Sequence, residues 1–112
     1  MKKSLTKKEI LRKQSDLKRI FASGKSFKCR GAKILFLPNF LIYNRFAVTL
    51  VRKYGNSVER NYSKRILREI YRTQKELISA PYDVVIVLYP GDYSFQDRYE
   101  QFNKLLRRAN LV

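Results

Sequence analysis

The chain has 112 residues, of which 25 are lysine or arginine and nine are aspartate or glutamate, so its formal net charge is +16. This length fits one domain spanning residues 1–112 with one modest core, and a hydrophobic content of 45% excludes a wholly disordered basic tail. The charge makes nucleic acid the leading partner and an anionic membrane surface the second.

The N-terminal quarter predicts one short helix. Residues 1–14 form a basic segment with little periodicity, which we expect to be flexible. A helix is predicted over residues 16–23, from Ser15 as its N-cap to Gly24 at its end. Its apolar residues recur at helical spacing: Leu17, Ile20 and Phe21.

Three strands are predicted next, because β-branched and aromatic residues cluster between turn signals. They cover residues 33–37, 40–43 and 46–51, with Pro38-Asn39 as the turn between the first two. Phe46 is interpreted as a core residue of the third strand.

The second half of the chain predicts two helices around one buried strand. A long helix is predicted with Ser57 as its N-cap and runs to about Ile78, before Pro81. Residues 82–88 are nearly all apolar, which is typical of a strand covered on both faces. An amphipathic helix follows over residues 99–109. The order α-β-β-β-α-β-α predicts a single-domain α+β sandwich of helices against one sheet.

One face of the long helix is strongly basic. At about 100° per residue, six side chains fall in one arc roughly 140° wide. We call this set the cationic stripe: Arg60, Asn61, Lys64, Arg65, Arg68 and Arg72. The opposite arc is expected to face the core and holds Tyr62, Ile66, Leu67 and Ile70, with Leu77 further on. A merely solvated helix normally intersperses acidic residues, so the stripe favours binding of a polyanion.

Aromatic and basic residues outside this helix form further candidate contacts with RNA. Bases stack on aromatic rings while cations track phosphates, as in single-stranded RNA recognition. The aromatic candidates are Phe21, Phe27, Phe36, Tyr43 and Tyr89. For Phe21 and Phe36 a core position is an equal alternative. The basic pair Arg52-Lys53 follows the third strand.

The sequence offers no catalytic or metal-binding constellation. Histidine is absent, and Cys29 is the only cysteine, so an internal disulfide and a zinc site are excluded. Cys29 is interpreted as an inert strand residue. Asp92, Asp97 and Glu100 are the densest acidic group, and we interpret them as helix-capping residues. No transmembrane segment or signal peptide is recognisable, which fits a reducing cytoplasm.

The stretch from Arg45 to Arg72 resembles the signature region of the bacterial ribonuclease P protein subunit. That family's motif is written R-N-R followed by x-K-R-x-x-R, and this chain carries Arg60-Asn61, Lys64-Arg65 and Arg68 at the matching spacing. Tyr62 stands where the motif has its second arginine. The resemblance covers most of the chain and weakens before Ser15 and after Gly91.

The resemblance implies a fold like the second domain of ribosomal protein S5. It includes an unusual left-handed crossover from the strand at 46–51 to the strand at 84–88. It also implies a ribonucleoprotein enzyme whose RNA subunit, with bound Mg²⁺, removes the 5′ leader of precursor tRNA. The protein then carries no catalytic residue, metal or cofactor of its own, and its partners are ribonuclease P RNA and precursor tRNA, with no membrane or protein partner evident.

The resemblance further assigns two binding surfaces. The cationic stripe would bind the catalytic RNA. A cleft between the first helix and the sheet would hold the single-stranded leader, and its residues would be Leu17, Phe21, Phe36, Arg52, Lys53 and Tyr89. Leu17 stands where the family often has an aromatic residue, and Leu88-Tyr89 where it often has basic ones. The alternatives are a structural, ribosomal-type RNA-binding protein and a DNA-binding protein that places the long helix in a major groove.

Overall fold

The computed structural model of the chain describes residues 6–112, so the first five residues of the predicted basic segment lie outside the described part. Three α-helices and four strands follow one another in the predicted order. They are α1 (Gln14–Ser23), β1 (Lys25–Cys29), β2 (Ala32–Pro38), β3 (Arg45–Leu50), α2 (Ser57–Gln74), β4 (Tyr82–Leu88) and α3 (Phe95–Arg108). Single turns of 3₁₀ helix cover Lys7–Glu9 and Lys75–Leu77. The α+β prediction is confirmed.

The four strands form one mixed sheet in the order β1-β2-β4-β3. The β1–β2 and β2–β4 pairs are antiparallel, and β3 runs parallel to β4 with Phe46 opposite Val84. Since α2 lies between β3 and β4 in the chain, the two parallel neighbours are joined by a β-α-β crossover. Its predicted left hand stays a prediction.

Two helical layers cover the two faces of the sheet, because apolar residues alternate along the central strands. Ile34 of β2 and Ile86 of β4 pack in one cluster with the inner faces of α2 and α3. Leu35 and Val85, the adjacent cross-strand pair, pack in a second cluster with Ile20 of α1. Strand β4 is therefore buried on both faces, as its apolar sequence predicts.

Stacked aromatic rings hold α2 and α3 to the sheet. Phe46 stacks on Tyr71 of α2 with ring centroids 4.0 Å apart, and it meets Phe102 of α3 edge to face with ring centroids 6.1 Å apart. All three rings are almost fully buried, so the core interpretation of Phe46 is confirmed.

The predicted strand over residues 40–43 is wrong. Phe40 has a positive φ of 58°, and the side chains of Phe40 and Ile42 are more than nine-tenths exposed. The reason is the side chain of Asn39, which accepts a hydrogen bond from Leu41 N and donates one to Tyr43 O, at 2.9 and 3.0 Å. These bonds close a turn in place of a strand.

The fourth member of the sheet is instead β1, which precedes β2 in the chain and was not predicted from the sequence. It pairs with β2 through a tight turn at Gly31, whose φ of 86° suits glycine. Three helix starts also differ from prediction. α1 begins at Gln14 and not after Ser15, α2 is capped by Asn56, and α3 begins at Phe95 because Ser94 and Asp97 form a capping box.

Candidate nucleic-acid interface

Helix α2 presents the cationic stripe because its other face is anchored in the core. The Asn56 side chain accepts a hydrogen bond from Glu59 N at 2.9 Å, and the Glu59 carboxylate accepts one from Asn56 N at 3.1 Å, which fixes where the helix begins. The buried residues recur at helical spacing: Ile66, Leu67, Ile70 and Tyr71. Tyr62 and Leu77 were expected on this inner face, and both are more than half exposed.

The stripe residues divide into two groups by their partners. Asn61, Arg65 and Arg68 are exposed, Lys64 is half-buried, and within residues 6–112 none of their side chains forms an ion pair. Together they line a surface groove of about 590 Å³ with Val58 and Tyr62. These cations are free to meet phosphates.

The two ends of the stripe are engaged within the protein. Arg60 donates hydrogen bonds to Val51 O and Arg52 O, at 3.2 and 3.5 Å. It thereby ties the start of α2 to the turn that follows β3. At the other end, Arg72 forms an ion pair with Glu69 one turn away, in which the Arg72 Nε donates at 3.1 Å. The centre of the stripe therefore carries most of its available charge.

The second predicted surface lies on the opposite face of the sheet, beside α1. Leu17 is half-buried against the cluster of Ile20, Leu35 and Val87, and Tyr89 packs against the same cluster. Phe21 is 48% exposed on α1. The structure thus brings Leu17 and Tyr89 to one apolar surface and leaves the Phe21 ring accessible beside it.

Phe36 does not belong to this surface. It is buried in the cluster on the α2 and α3 side, where its ring lies 6.2 Å from Phe27 and 5.9 Å from Tyr82. Its neighbour Leu35 faces α1 instead. Because successive residues of a strand point to opposite faces, the assignment of Phe36 to the cleft is wrong by one position.

Basic residues border the α1-side surface at one end of the sheet. Arg52 and Lys53 are exposed in the turn after β3, and Val51 N donates to Leu88 O at 3.2 Å, which sets this turn beside Tyr89. Lys28 of β1, which sequence reasoning missed, places its ammonium 4.7 Å from the centre of the Tyr89 ring. Its exposed position on β1 was hidden because β1 itself was not predicted.

A buried carboxylate locks α1 onto the other end of the sheet. Asp83 is fully buried and accepts hydrogen bonds from Arg45 at 2.8 and 2.7 Å, from Arg19 of α1 at 2.8 Å and from Asn39 at 3.0 Å. Burial raises the pKa of Asp83, but the hydrogen bonds from Arg45, Asn39 and Arg19 and the charge of Arg45 outweigh it, so the net pKa lies below its usual value. This network fixes the distance between α1 and the sheet.

Other charged and reactive groups give no sign of catalysis. Burial raises the pKa of the Cys29 thiol, which disfavours the reactive thiolate. Asp97 caps α3, as predicted, with Ser94 N donating to its carboxylate at 2.9 Å. Over residues 6–112, no three acidic or cysteine side chains are grouped so that they could hold a metal ion. Within the same residues, no helix has the length and apolar character needed to cross a membrane.

Comparisons with known proteins agree with this geometry. A family model described as Ribonuclease P matches residues 5–110. A ribonuclease P protein component of Petrotoga mobilis is 43% identical over 81 residues, which is 72% of this chain and 69% of that protein. The corresponding protein of Caldanaerobacter subterraneus is 34% identical over 113 aligned positions, covering 99% of this chain and 95% of its own.

A solved structure has the same fold. It is that of a Staphylococcus aureus RNase P protein mutant, which superposes with a TM-score of 0.88 at 26% identity, over 95% of this chain and 92% of that one.

Proposed function

This chain belongs to the bacterial ribonuclease P protein family, and from that premise we propose that it binds ribonuclease P RNA through α2 and the precursor-tRNA leader beside α1. It is a component of ribonuclease P. Membership disfavours the ribosomal-type and DNA-binding alternatives. In our proposal the holoenzyme removes the 5′ leader of precursor tRNA in the cytoplasm.

The centre of the cationic stripe is the observation that carries the proposal. Lys64, Arg65 and Arg68 point away from the core, and none of the three has an acidic partner among residues 6–112. Like charges three and four residues apart destabilise the free helix. A polyphosphate backbone relieves that repulsion and releases counterions, so catalytic RNA is the partner whose charge complements this face.

The α1-side surface supports the second half of the proposal. The Phe21 ring is available for a base to stack on, and Arg52, Lys53 and Lys28 can meet the phosphates of the same strand. The surface is apolar at its centre and basic at its border, as expected for single-stranded RNA. Leu35 takes the place that the sequence assigned to Phe36.

We assign the chemical step to the RNA subunit. Hydrolysis of the phosphodiester would use Mg²⁺ held by that RNA. The described residues fit this division, because the acidic side chains among them cap helices, lie scattered or pair with arginine and lysine instead of converging on one point. The protein's contribution is to bind and orient RNA.

Assembly with the catalytic RNA tests the α2 assignment. Arg65→Ala should raise the Kd for ribonuclease P RNA by about 10- to 150-fold, because a charge-assisted hydrogen bond contributes about 1.5–3 kcal/mol. Arg107→Ala is the matched control, since Arg107 is an exposed arginine of α3 outside the stripe. Equal losses in the two variants would show that net charge, and not the stripe, governs binding.

A further inference from the structure

A pocket of about 410 Å³ lies beside the cationic stripe, between the first turns of α2 and the β4–α3 loop. Its volume is within the range of about 300–1,000 Å³ typical of small-ligand sites. Three tyrosines line it, together with two acidic side chains and one arginine: Tyr54, Tyr62, Tyr93, Glu59, Asp92 and Arg98. Neither predicted binding surface includes this pocket.

Hydrogen bonds hold the Tyr54 ring in place, and a cation–π contact with Arg98 holds the Tyr93 ring. The Tyr54 hydroxyl lies 2.8 Å from Ser63 Oγ and accepts a hydrogen bond from Arg98 Nη2 at 2.7 Å. Arg98 is almost fully buried, and its guanidinium carbon lies 4.5 Å from the centre of the Tyr93 ring. Arg98 also donates to Gly31 O and Tyr89 O, at 2.9 and 3.1 Å. The walls are therefore preorganised, which lowers the entropic cost of binding.

Tyr62 connects this pocket to the stripe. Its ring is 52% exposed and lines both the pocket and the neighbouring groove of Lys64, Arg65 and Arg68. The Arg65 guanidinium carbon lies 5.8 Å from the centre of the ring. An RNA strand whose phosphates lie on the stripe can therefore place a base against Tyr62.

The polar groups at the pocket favour a base over a phosphate. Glu59 and Asp92 line it together with Arg98, so two carboxylates outnumber one guanidinium, and the net negative charge disfavours a phosphate group. The same carboxylates can accept hydrogen bonds from exocyclic amino groups, as acidic side chains do from cytosine. Adenine, cytosine and guanine carry such a group, and uracil does not.

We propose that this pocket binds one unpaired, amino-bearing nucleobase of the RNA that lies on the cationic stripe, with Tyr62 as its stacking platform. The inference rests on the proposed function, since that function supplies ribonuclease P RNA as the partner. It also gives Tyr62 a role at the motif position where the family has arginine. Stacking replaces a phosphate contact there.

Binding of ribonuclease P RNA to Tyr62 variants tests this proposal. Tyr62→Ala should raise the Kd by about 5- to 150-fold, since base stacking on an aromatic ring contributes about 1–3 kcal/mol. Tyr62→Phe keeps the ring and should bind like the wild type. Because Tyr62 is half exposed, all variants should remain folded, which thermal melts check. Leu77→Ala is the matched control, since Leu77 is an exposed apolar residue beyond the end of α2 that lines neither the pocket nor the groove of the stripe.

The salt dependence separates stacking from charge. Tyr62→Ala should leave the slope of log K against log salt unchanged, whereas Tyr62→Arg should steepen it by about one phosphate contact, 0.7–0.9. A Tyr62→Ala protein that binds like Leu77→Ala, or a Tyr62→Phe protein as weak as Tyr62→Ala, would overturn the proposed base-binding pocket. Wild-type protein that fails to bind the RNA at all would overturn the proposed function, and the pocket's role with it.

Discussion

Replacing Phe21 with alanine should weaken the binding of precursor tRNA only when the precursor carries a leader. Phe21 lies on α1 beside the surface formed by Leu17, Leu35 and Tyr89, and about half of its ring is open to solvent. A base of the leader can therefore stack on it. Truncation removes that contact and leaves the cationic stripe on the opposite side of the sheet untouched.

The exposure of Phe21 sets the size of both expected effects. Loss of a stacked ring costs about 1–3 kcal/mol of binding, so the Kd for a precursor with a leader of several nucleotides should rise about 5- to 150-fold. Truncating a fully buried phenylalanine costs about 3–5 kcal/mol of stability. At 48% exposure roughly half of that is at stake, about 2 kcal/mol, so the variant should still fold.

The assay compares holoenzymes assembled with wild-type and variant protein on precursors with and without leaders. Phe95→Ala is the matched control, because Phe95 is 45% exposed and begins α3, away from α1. The reasoning is refuted if Phe21→Ala binds the leader-bearing precursor as tightly as the wild type does, or if Phe95→Ala shows the same leader-dependent loss. The affinity for the catalytic RNA should stay unchanged in Phe21→Ala.

Three further outcomes test the electrostatics and the core. The slope of log K against log salt should be about −2 or steeper if phosphates are bound by Lys64, Arg65 and Arg68. It should steepen to about −4 if Arg60 and Arg72 also meet phosphates. A flat salt response would contradict RNA binding by the cationic stripe. Because the pKa of Asp83 is lowered in the folded protein, its contribution to the unfolding free energy is complete above about pH 4 and is lost as pH falls through the lowered pKa. Urea titrations of Asp83→Asn should show an unfolding free energy lower by about 1.5–3 kcal/mol at neutral pH. The unfolding free energy of this variant should also fall less steeply in acid than that of the wild type. An acid dependence equal to that of the wild type would refute the role of the Asp83 network. Tyr71→Phe should raise the unfolding free energy by about 1–3 kcal/mol, because the buried Tyr71 hydroxyl has no hydrogen-bond partner among residues 6–112. A lower unfolding free energy in the same titration would show that the hydroxyl has a partner.

Much of the fold is predictable where periodicity is strong. The helix over α2 and the apolar strand β4 show in the sequence because their burial patterns continue over many residues. Strand β1 is not recognisable in the sequence, because two lysines stand at its exposed positions and only Phe27 and Cys29 are partly buried. The turn over residues 40–43 was misinterpreted because its apolar residues lie in solvent, held there by the Asn39 side chain.

The site is predictable to the level of helix faces and less so at single positions. The cationic stripe follows from angular spacing alone, because α2 is regular. The face of the sheet on which Phe36 lies does not follow from spacing, because a shift of one residue along a strand moves a side chain to the opposite face. Tyr62 was expected to point inward, but the core under that turn of α2 is filled by Ile66, and the tyrosine lies between two surface concavities. Contacts between distant segments, such as Arg98 with Tyr54, leave no local signal.

Reconstituted cleavage tests the central claim most directly. Precursor tRNA is incubated with ribonuclease P RNA alone, with RNA-free protein alone and with both, at a Mg²⁺ concentration where the RNA alone cleaves slowly. We predict that the protein alone is inactive and that adding it to the RNA raises kcat/KM for leader removal, more for precursors with long leaders than for those with short ones. Mg²⁺-dependent cleavage by the protein alone, or no gain over the RNA alone, would contradict the account.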